Sequence, residues 1–113
     1  MEPLALPRSW PYNLGPLSRI PLGEGKAFAV AGRLVAIFRA KNGRLFATQA
    51  NCPHRRGPLA DGTVGGAHLV CPMHGFKFDL SSGRPLGNDC SALKTYTVQV
   101  NERGEIQLHL EHR

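Results

Sequence analysis

The chain has 113 residues, which suffices for one small domain but not for a second core of ordinary size. Its 13 glycines, nine prolines, 42% hydrophobic and 19% charged residues exclude a disordered chain and a helical bundle and favour a loop-rich, all-β domain. A net charge of +6 raises the possibility of nucleic-acid binding, whereas the lack of any apolar run of ~20 residues argues against a membrane span.

Two further sequence features bear on the cellular compartment. Residues 1–20 contain no basic head followed by an apolar stretch, so no signal peptide is predicted. Three cysteines are too few for a disulfide scaffold, and their number is odd. We therefore expect a protein of the reducing cytoplasm.

The first half of the chain predicts an extended lead-in followed by strands. Residues 1–16 are rich in proline, and β-type composition follows at Ser18–Leu22, Ala27–Val30 and Leu34–Phe38. The pair Asn42-Gly43 predicts a hairpin with a type I′ turn between strands 33–39 and 44–49.

The positive charge is concentrated in this same half. Residues 25–60 carry seven basic residues and no acidic one. The bases alternate with apolar residues, as on the solvated outer face of strands, and no aromatic stacking platform or helix-turn-helix pattern accompanies them. We therefore interpret the stretch as a solvated strand face or a docking face for an acidic partner, and we expect no nucleic-acid binding. The seven bases are Lys26, Arg33, Arg39, Lys41, Arg44, Arg55 and Arg56.

The end of the chain predicts a second hairpin. Apolar residues alternate with polar ones over 95–100 and again over 105–111, on either side of Glu102-Arg103-Gly104. Between the two hairpins, residues 51–90 are rich in glycine and proline and show little apolar alternation. Such a segment needs another source of order, such as a bound metal.

This middle segment contains four residues with the spacing of metal ligands. Cys52-Pro53-His54 is followed, after 16 residues, by Cys71-Pro72-Met73-His74-Gly75. Two thiolates and two imidazoles suit either zinc or an iron–sulfur cluster. Zinc fingers and ribbons usually take two cysteines from one loop, whereas here each loop is mixed, which favours a two-iron cluster with sulfur ligands on one iron and imidazoles on the other.

These motifs resemble the Rieske signature, in which C-x-H and C-x-x-H are separated by about 16 residues. The flanking Gly57-Pro58-Leu59 and Phe78-Asp79-Leu80 agree with it, and the similarity spans roughly residues 17–110. It implies one [2Fe-2S] cluster per chain, with Cys52 and Cys71 on the inner iron and His54 and His74 on the outer iron through Nδ1.

The resemblance also implies a fold. Residues 1–113 would form a single Rieske domain, an antiparallel β-sandwich base with a cluster-binding subdomain inserted at about 50–85. A further loop normally covers the cluster in this family, and Ser81–Leu86 is the candidate here. Cys90 has no partner of its own in the motif, and we interpret it as a buried or half-buried thiol.

Because the iron ligands would be complete, we expect transfer of one electron at a time and no bond chemistry in this domain. High-potential members of the family carry an extra cysteine in each ligand loop, where this chain has Gly57 and Met73. They also place hydroxyl side chains near the cluster, where this chain has Phe76 and Phe78. We therefore predict a potential near the low end of the Rieske range, about −150 mV.

Two subclasses are open as interpretations of this chain. The segment Gly87-Asn88-Asp89-Cys90, leading to Thr95-Tyr96, is similar to the small subunit of NAD(P)H-dependent nitrite reductase, although Asp89 and Cys90 are adjacent where that family separates them. The alternative is a Rieske ferredoxin that feeds a ring-hydroxylating dioxygenase. The implied partners are an NAD(P)H-dependent reductase or large catalytic subunit and a terminal oxygenase. A zinc-binding β-module used only for interaction is the remaining alternative.

Overall fold

The structure is a computed structural model that describes residues 11–53, 57–72 and 75–112. Within these ranges it contains ten strands, two 3-10 turns and no α-helix, which confirms the all-β prediction. The strands are β1 (Tyr12–Pro16), β2 (Glu24–Val30), β3 (Arg33–Arg39), β4 (Leu45–Gln49), β5 (Thr63–Gly65), β6 (His68–Val70), β7 (Lys77–Asp79), β8 (Pro85–Leu86), β9 (Thr95–Val100) and β10 (Glu105–His112). The 3-10 turns are Leu17–Arg19 and Leu59–Asp61. No described helix is long and apolar enough to cross a bilayer.

Six strands form one antiparallel sheet in the order β1-β10-β9-β4-β3-β2. The two halves of this sheet are joined by only two residue pairs, Ala47 with Tyr96 and Thr48 with Thr95. Side chains from both halves meet in one buried cluster that includes Val35, Ile37 and Leu108. The halves therefore enclose a common core, in the manner of a sandwich.

A second sheet of four short strands, β5-β6-β7-β8, covers the other face of β3 and β4. Ala36 and Phe38 point into this second core, whereas Val35 and Ile37 point into the first. Because β3 is covered on both faces, its four central residues are all buried. The expected solvated strand face is therefore absent from β3, and its two arginines lie at the ends of the strand.

Both predicted hairpins form, but the turn at Asn42 differs from the prediction. Gly43 has φ +89°, whereas Asn42 does not have a positive φ. The Gly43 amide donates to the Ala40 carbonyl at 2.8 Å, and the Ala40 amide donates to the Arg44 carbonyl at 2.9 Å. These φ values and hydrogen bonds define a type I turn followed by a left-handed glycine. The Asn42 side chain accepts from the Arg44 amide and so stabilises the turn.

The predicted strand at Ser18–Leu22 is wrong. Leu17–Arg19 forms a 3-10 turn, and the chain then buries Ile20 completely in the first core. Pro16 and Pro21 flank the segment, and a proline has no amide with which to extend a strand ladder. Within the described residues the lead-in forms β1 from Tyr12, where it pairs with β10; residues 1–10 of the predicted lead-in lie outside the described residues.

Candidate metal centre

Two loops with the same closure place the cysteines at the start of each metal-binding motif. The Cys52 amide donates to the Gly57 carbonyl at 2.8 Å, and the Cys71 amide donates to the Phe76 carbonyl at 2.7 Å. In both loops, therefore, the backbone amide of the cysteine donates to the carbonyl of the residue five positions later. The flanking residues also pair, Asn51 with Pro58 and Val70 with Lys77. The two motifs are thus held as a pair of similar hairpin loops.

The two cysteines are buried in the same apolar cluster. Each is about 1% exposed, and neither forms a disulfide. The residues behind them include Phe38, Leu59 and Leu69, all fully buried. A thiolate is costly to bury among apolar side chains unless a cation or metal balances its charge. Two such thiols on neighbouring loops fit a soft metal or an iron–sulfur cluster.

The loop ends point the other way, towards solvent. Pro53, Pro72 and Gly75 are all exposed, although they adjoin buried cysteines or their closing residues. The remaining predicted ligands, His54 and His74, lie outside the described residues, as do Arg55 and Arg56. The described structure therefore places the sulfur half of the proposed ligand set, and the imidazole half stays a prediction from the sequence.

A close backbone contact fixes the second loop against the first. The amide of Gly62 donates to the Leu59 carbonyl at 2.9 Å and ends the 3-10 turn. A side chain at this position would overlap the carbonyl oxygen of Val70, the residue before Cys71. Glycine is thus required for the chain after the first motif to lie against the start of the second.

Cys90 lies beside this centre, which the sequence did not indicate. The thiol is half-buried, as predicted; its partial burial raises its pKa, and negative charge on Cys52 and Asp89 raises it further. The Cys90 amide donates to the Asn88 side chain at 2.9 Å, and Asn88 in turn donates to the Lys77 carbonyl at 3.0 Å. These bonds tether Cys90 to the base of the second loop.

The described residues that share a hollow with both loops follow the predicted Ser81–Leu86, whose Leu86 pairs with Lys77 beside the second loop. Residues 88–91 line one hollow together with Pro53 and Phe76. Pro85 and Leu86 instead pair with β7 as the short strand β8. One residue in the sequence, Asn88, signals a tight turn at this point. Its side chain accepts a hydrogen bond from the backbone amide of Cys90, two residues later, which is a common way for asparagine to begin a turn.

Comparison with known proteins agrees with this arrangement. The family model described as the Rieske [2Fe-2S] domain matches residues 10–97. The ferredoxin component of the naphthalene 1,2-dioxygenase/salicylate 5-hydroxylase systems of Ralstonia sp. is 31% identical over 99 residues, covering 84% of this chain and 90% of the relative. The 4beta-methylsterol monooxygenase of Methylococcus capsulatus is 50% identical over 48 residues, and this match spans only 13% of that enzyme's length.

Solved structures show the same fold. The ferredoxin of carbazole 1,9a-dioxygenase from Nocardioides aromaticivorans superposes with a TM-score of 0.80 at 26% identity, covering 91% of this chain and all of that one. A protein from Mycobacterium tuberculosis, assigned as the small subunit of an NADH-dependent nitrite reductase, also gives a TM-score of 0.80, at 22% identity over 91% of this chain and 94% of that one.

Proposed function

The chain belongs to the Rieske [2Fe-2S] domain family and is an electron carrier with a cluster of that type, and we propose that it delivers electrons to the terminal oxygenase of a ring-hydroxylating system. The similarity to the Ralstonia ferredoxin component supports this assignment, because it extends over most of both chains. An NAD(P)H-dependent reductase would be the donor, and the cytoplasm would be the compartment.

Four side chains would hold the cluster. Cys52 and Cys71 would supply two thiolates to one iron, and His54 and His74 would supply two imidazoles to the other. The buried position of both cysteines supports their part in this set. When bound, the cluster accepts and releases one electron. The exposure of the loop ends at Pro53, Pro72 and Gly75 supports this end of the molecule as the exit for that electron.

The rest of the chain would position those four ligands within a single domain, residues 1–113. We assign the cluster-binding subdomain to residues of about 50–85. In support, the short strands β5–β8 within 63–86 form their own sheet, with Phe78 fully buried beneath it. The six-stranded sheet serves as the base, since its strands β3 and β4 lie under this small sheet.

A second candidate is the small subunit of an NAD(P)H-dependent nitrite reductase, with the large catalytic subunit as partner. The specific observation in its favour is the segment from Gly87 to Tyr96. Its sequence is similar to that subunit, and it brings Cys90 next to the first loop.

The cluster assignment is tested on anaerobically purified protein. We expect two irons and two sulfides per chain, a reddish-brown colour and the EPR signal typical of a reduced Rieske centre. Cys52→Ser and Cys71→Ser should abolish the signal, whereas the control variant Cys90→Ser should keep it. His54→Cys should lower the potential if a cluster forms. A colourless protein with one zinc per chain would contradict the assignment.

The partner is tested by reconstitution. The holo-protein is mixed with an NADH-dependent ferredoxin reductase and an aromatic-ring dioxygenase, and separately with the large subunit of a nitrite reductase. We expect substrate-dependent NADH oxidation in the first mixture. Turnover of nitrite without oxygenase turnover would instead favour the second candidate.

A further inference from the structure

A groove beside the first metal-binding loop combines two cations with one exposed apolar side chain. We call it the basic groove, and its walls come from the β2–β3 turn, the end of β4 and the residue before β9. It is lined chiefly by Gly32, Arg33, Leu34, Gln49, Asn51 and Lys94. Asn51 immediately precedes Cys52, so the groove adjoins the end of the molecule proposed above as the exit for the electron.

Three hydrogen bonds made by the backbone and side chain of Gln49 hold the walls of the basic groove together. The Gln49 amide donates to the Lys94 carbonyl at 2.9 Å, and the Lys94 amide donates to the Gln49 side chain at 2.8 Å. Gln49 also donates from its side chain to the Asn51 carbonyl at 2.8 Å. One glutamine therefore ties the lysine wall to the metal-binding loop. A preformed surface of this kind loses little entropy when a partner docks.

The charges at the groove are of one sign. Arg33 and Lys94 are exposed, and no acidic residue lines the groove. Glu24 lies at the opposite end of its hairpin, because it pairs with Arg39 rather than with Arg33. At a rise of ~3.3 Å per residue, this end is about 20 Å away, well beyond the Debye length of roughly 8 Å.

Two acidic residues of the second hairpin are equally distant, whereas the backbone of Glu111 lies near the start of β9, because its neighbour His112 pairs with Tyr96. Glu102 and Glu105 follow the far end of β9, whereas Lys94 precedes its near end. Asp61 ends the 3-10 turn that follows the first loop, and Asp89 lines the hollow on the Cys90 side; neither of these described residues lines the basic groove. The residues that line the groove therefore offer only positive charge to an approaching protein.

An apolar contact is available at the same place. Leu34 is 57% exposed, although its neighbours Val35 and Ala36 are fully buried. A leucine flanked by cations has the composition of a small docking site, in which an apolar centre excludes water and the charged rim sets orientation.

We propose that the basic groove docks an acidic patch of the electron-transfer partner protein, with Leu34 as its apolar contact and Arg33 and Lys94 paired with partner carboxylates. This inference rests on the proposed function as an electron carrier. It commits to an acidic protein surface and not to nucleic acid, because the groove offers no exposed aromatic side chain for stacking; its one aromatic, Tyr96, is buried.

The test uses dye-labelled decaglutamate as the probe and the holo-protein as its receptor, followed by fluorescence anisotropy. The double variant Arg33→Gln/Lys94→Gln should weaken binding about three- to tenfold at low ionic strength, since two exposed ion pairs are lost. The matched control Lys41→Gln/Arg103→Gln removes the same charge at the opposite ends of the two hairpins and should change binding by less than about twofold. Both differences should vanish in ~1 M salt.

Leu34 is tested with a second probe, the same peptide with one central leucine. This leucine should improve binding to the native chain, and Leu34→Ser should remove that gain while leaving decaglutamate binding unchanged. Equal losses in the groove and control double variants would overturn the proposal, and so would tighter binding of a labelled DNA duplex that the groove variant weakens.

The partner assays separate this proposal from the proposed function. The groove variants should raise the KM for whichever partner turns over, without changing the reduction potential. If no partner accepts electrons, the proposed function fails, and the peptide measurements still decide whether the groove binds an acidic surface.

Discussion

Gly83 offers the sharpest test of how the segment that includes Cys90 is held beside the metal-binding loops. Its φ is +80°, and an added Cβ would overlap the carbonyl oxygen of Leu93 and lie 3.1 Å from a methyl of Thr95. Its carbonyl also accepts from the Leu93 amide at 2.7 Å. Because Leu93 is buried in the second core, neither of these two chain segments can move aside without disturbing packing. Gly83→Ala should therefore be strongly destabilising.

The magnitude follows from two separable costs. A left-handed conformation costs a non-glycine residue about 1–2 kcal/mol. Relieving the overlap with backbone adds about 1–3 kcal/mol, as for other overpacked sites. Gly87 provides the matched control, because its φ is +74° and an added Cβ would meet nothing within 4 Å. Gly87→Ala should show only the first cost.

The assay is thermal unfolding of the holo-proteins, followed by far-UV circular dichroism and by the visible absorption of the cluster. At about 4 °C per kcal/mol for a domain of this size, Gly83→Ala should melt about 4–12 °C below Gly87→Ala. Its cluster absorption should be lost earlier, since the displaced Leu93 lies on the same segment as Cys90. Equal melting of the two variants would refute the reasoning.

Other expectations follow from the same structure. Ala31 has φ +49° in the turn before Gly32, so Ala31→Asn should raise the free energy of unfolding by about 0.5–1 kcal/mol; an unchanged urea midpoint would contradict this. The Ser81 hydroxyl and amide lower the pKa of Asp79, so ionised Asp79 stabilises the fold above its unfolded pKa of ~3.9 and this stability is lost as pH falls through the lowered value. Asp79→Ala should thus lower the urea midpoint at pH 6 and much less at pH 3; the same loss at both would exclude a charge effect. A redox titration should give a potential near about −150 mV, and a value near +300 mV would overturn the interpretation of Phe76 and Phe78.

Local patterns predicted those parts of the fold that local chemistry specifies. The strict alternation over 95–100 and 105–111 and the Asn42-Gly43 pair located both hairpins. The spacing of Cys52 and Cys71 located the two similar loops. These features depend on turn residues and on period-two burial, which are visible in any short window of sequence.

The parts that were missed depend on packing between distant segments. The strands β5, β6 and β7 have three residues each and bury one central side chain apiece, so no periodicity can be seen. Their core was therefore not expected in a segment that looked poor in apolar residues. The position of Cys90 beside Cys52 was missed for the same reason, because it depends on the Asn88 tether to Lys77.

The double-sided burial of β3 has a consequence for cooperativity. Val35 and Ile37 belong to the core of the large sheet, and Ala36 and Phe38 belong to the core behind the cysteines. Loosening of the metal loops would leave Phe38 without its neighbours and so weaken a strand that the other core also needs. The two layers should then open as one unit. Amide hydrogen exchange along β3 would accordingly report, from the centre of the molecule, whether the cysteine loops are held in place.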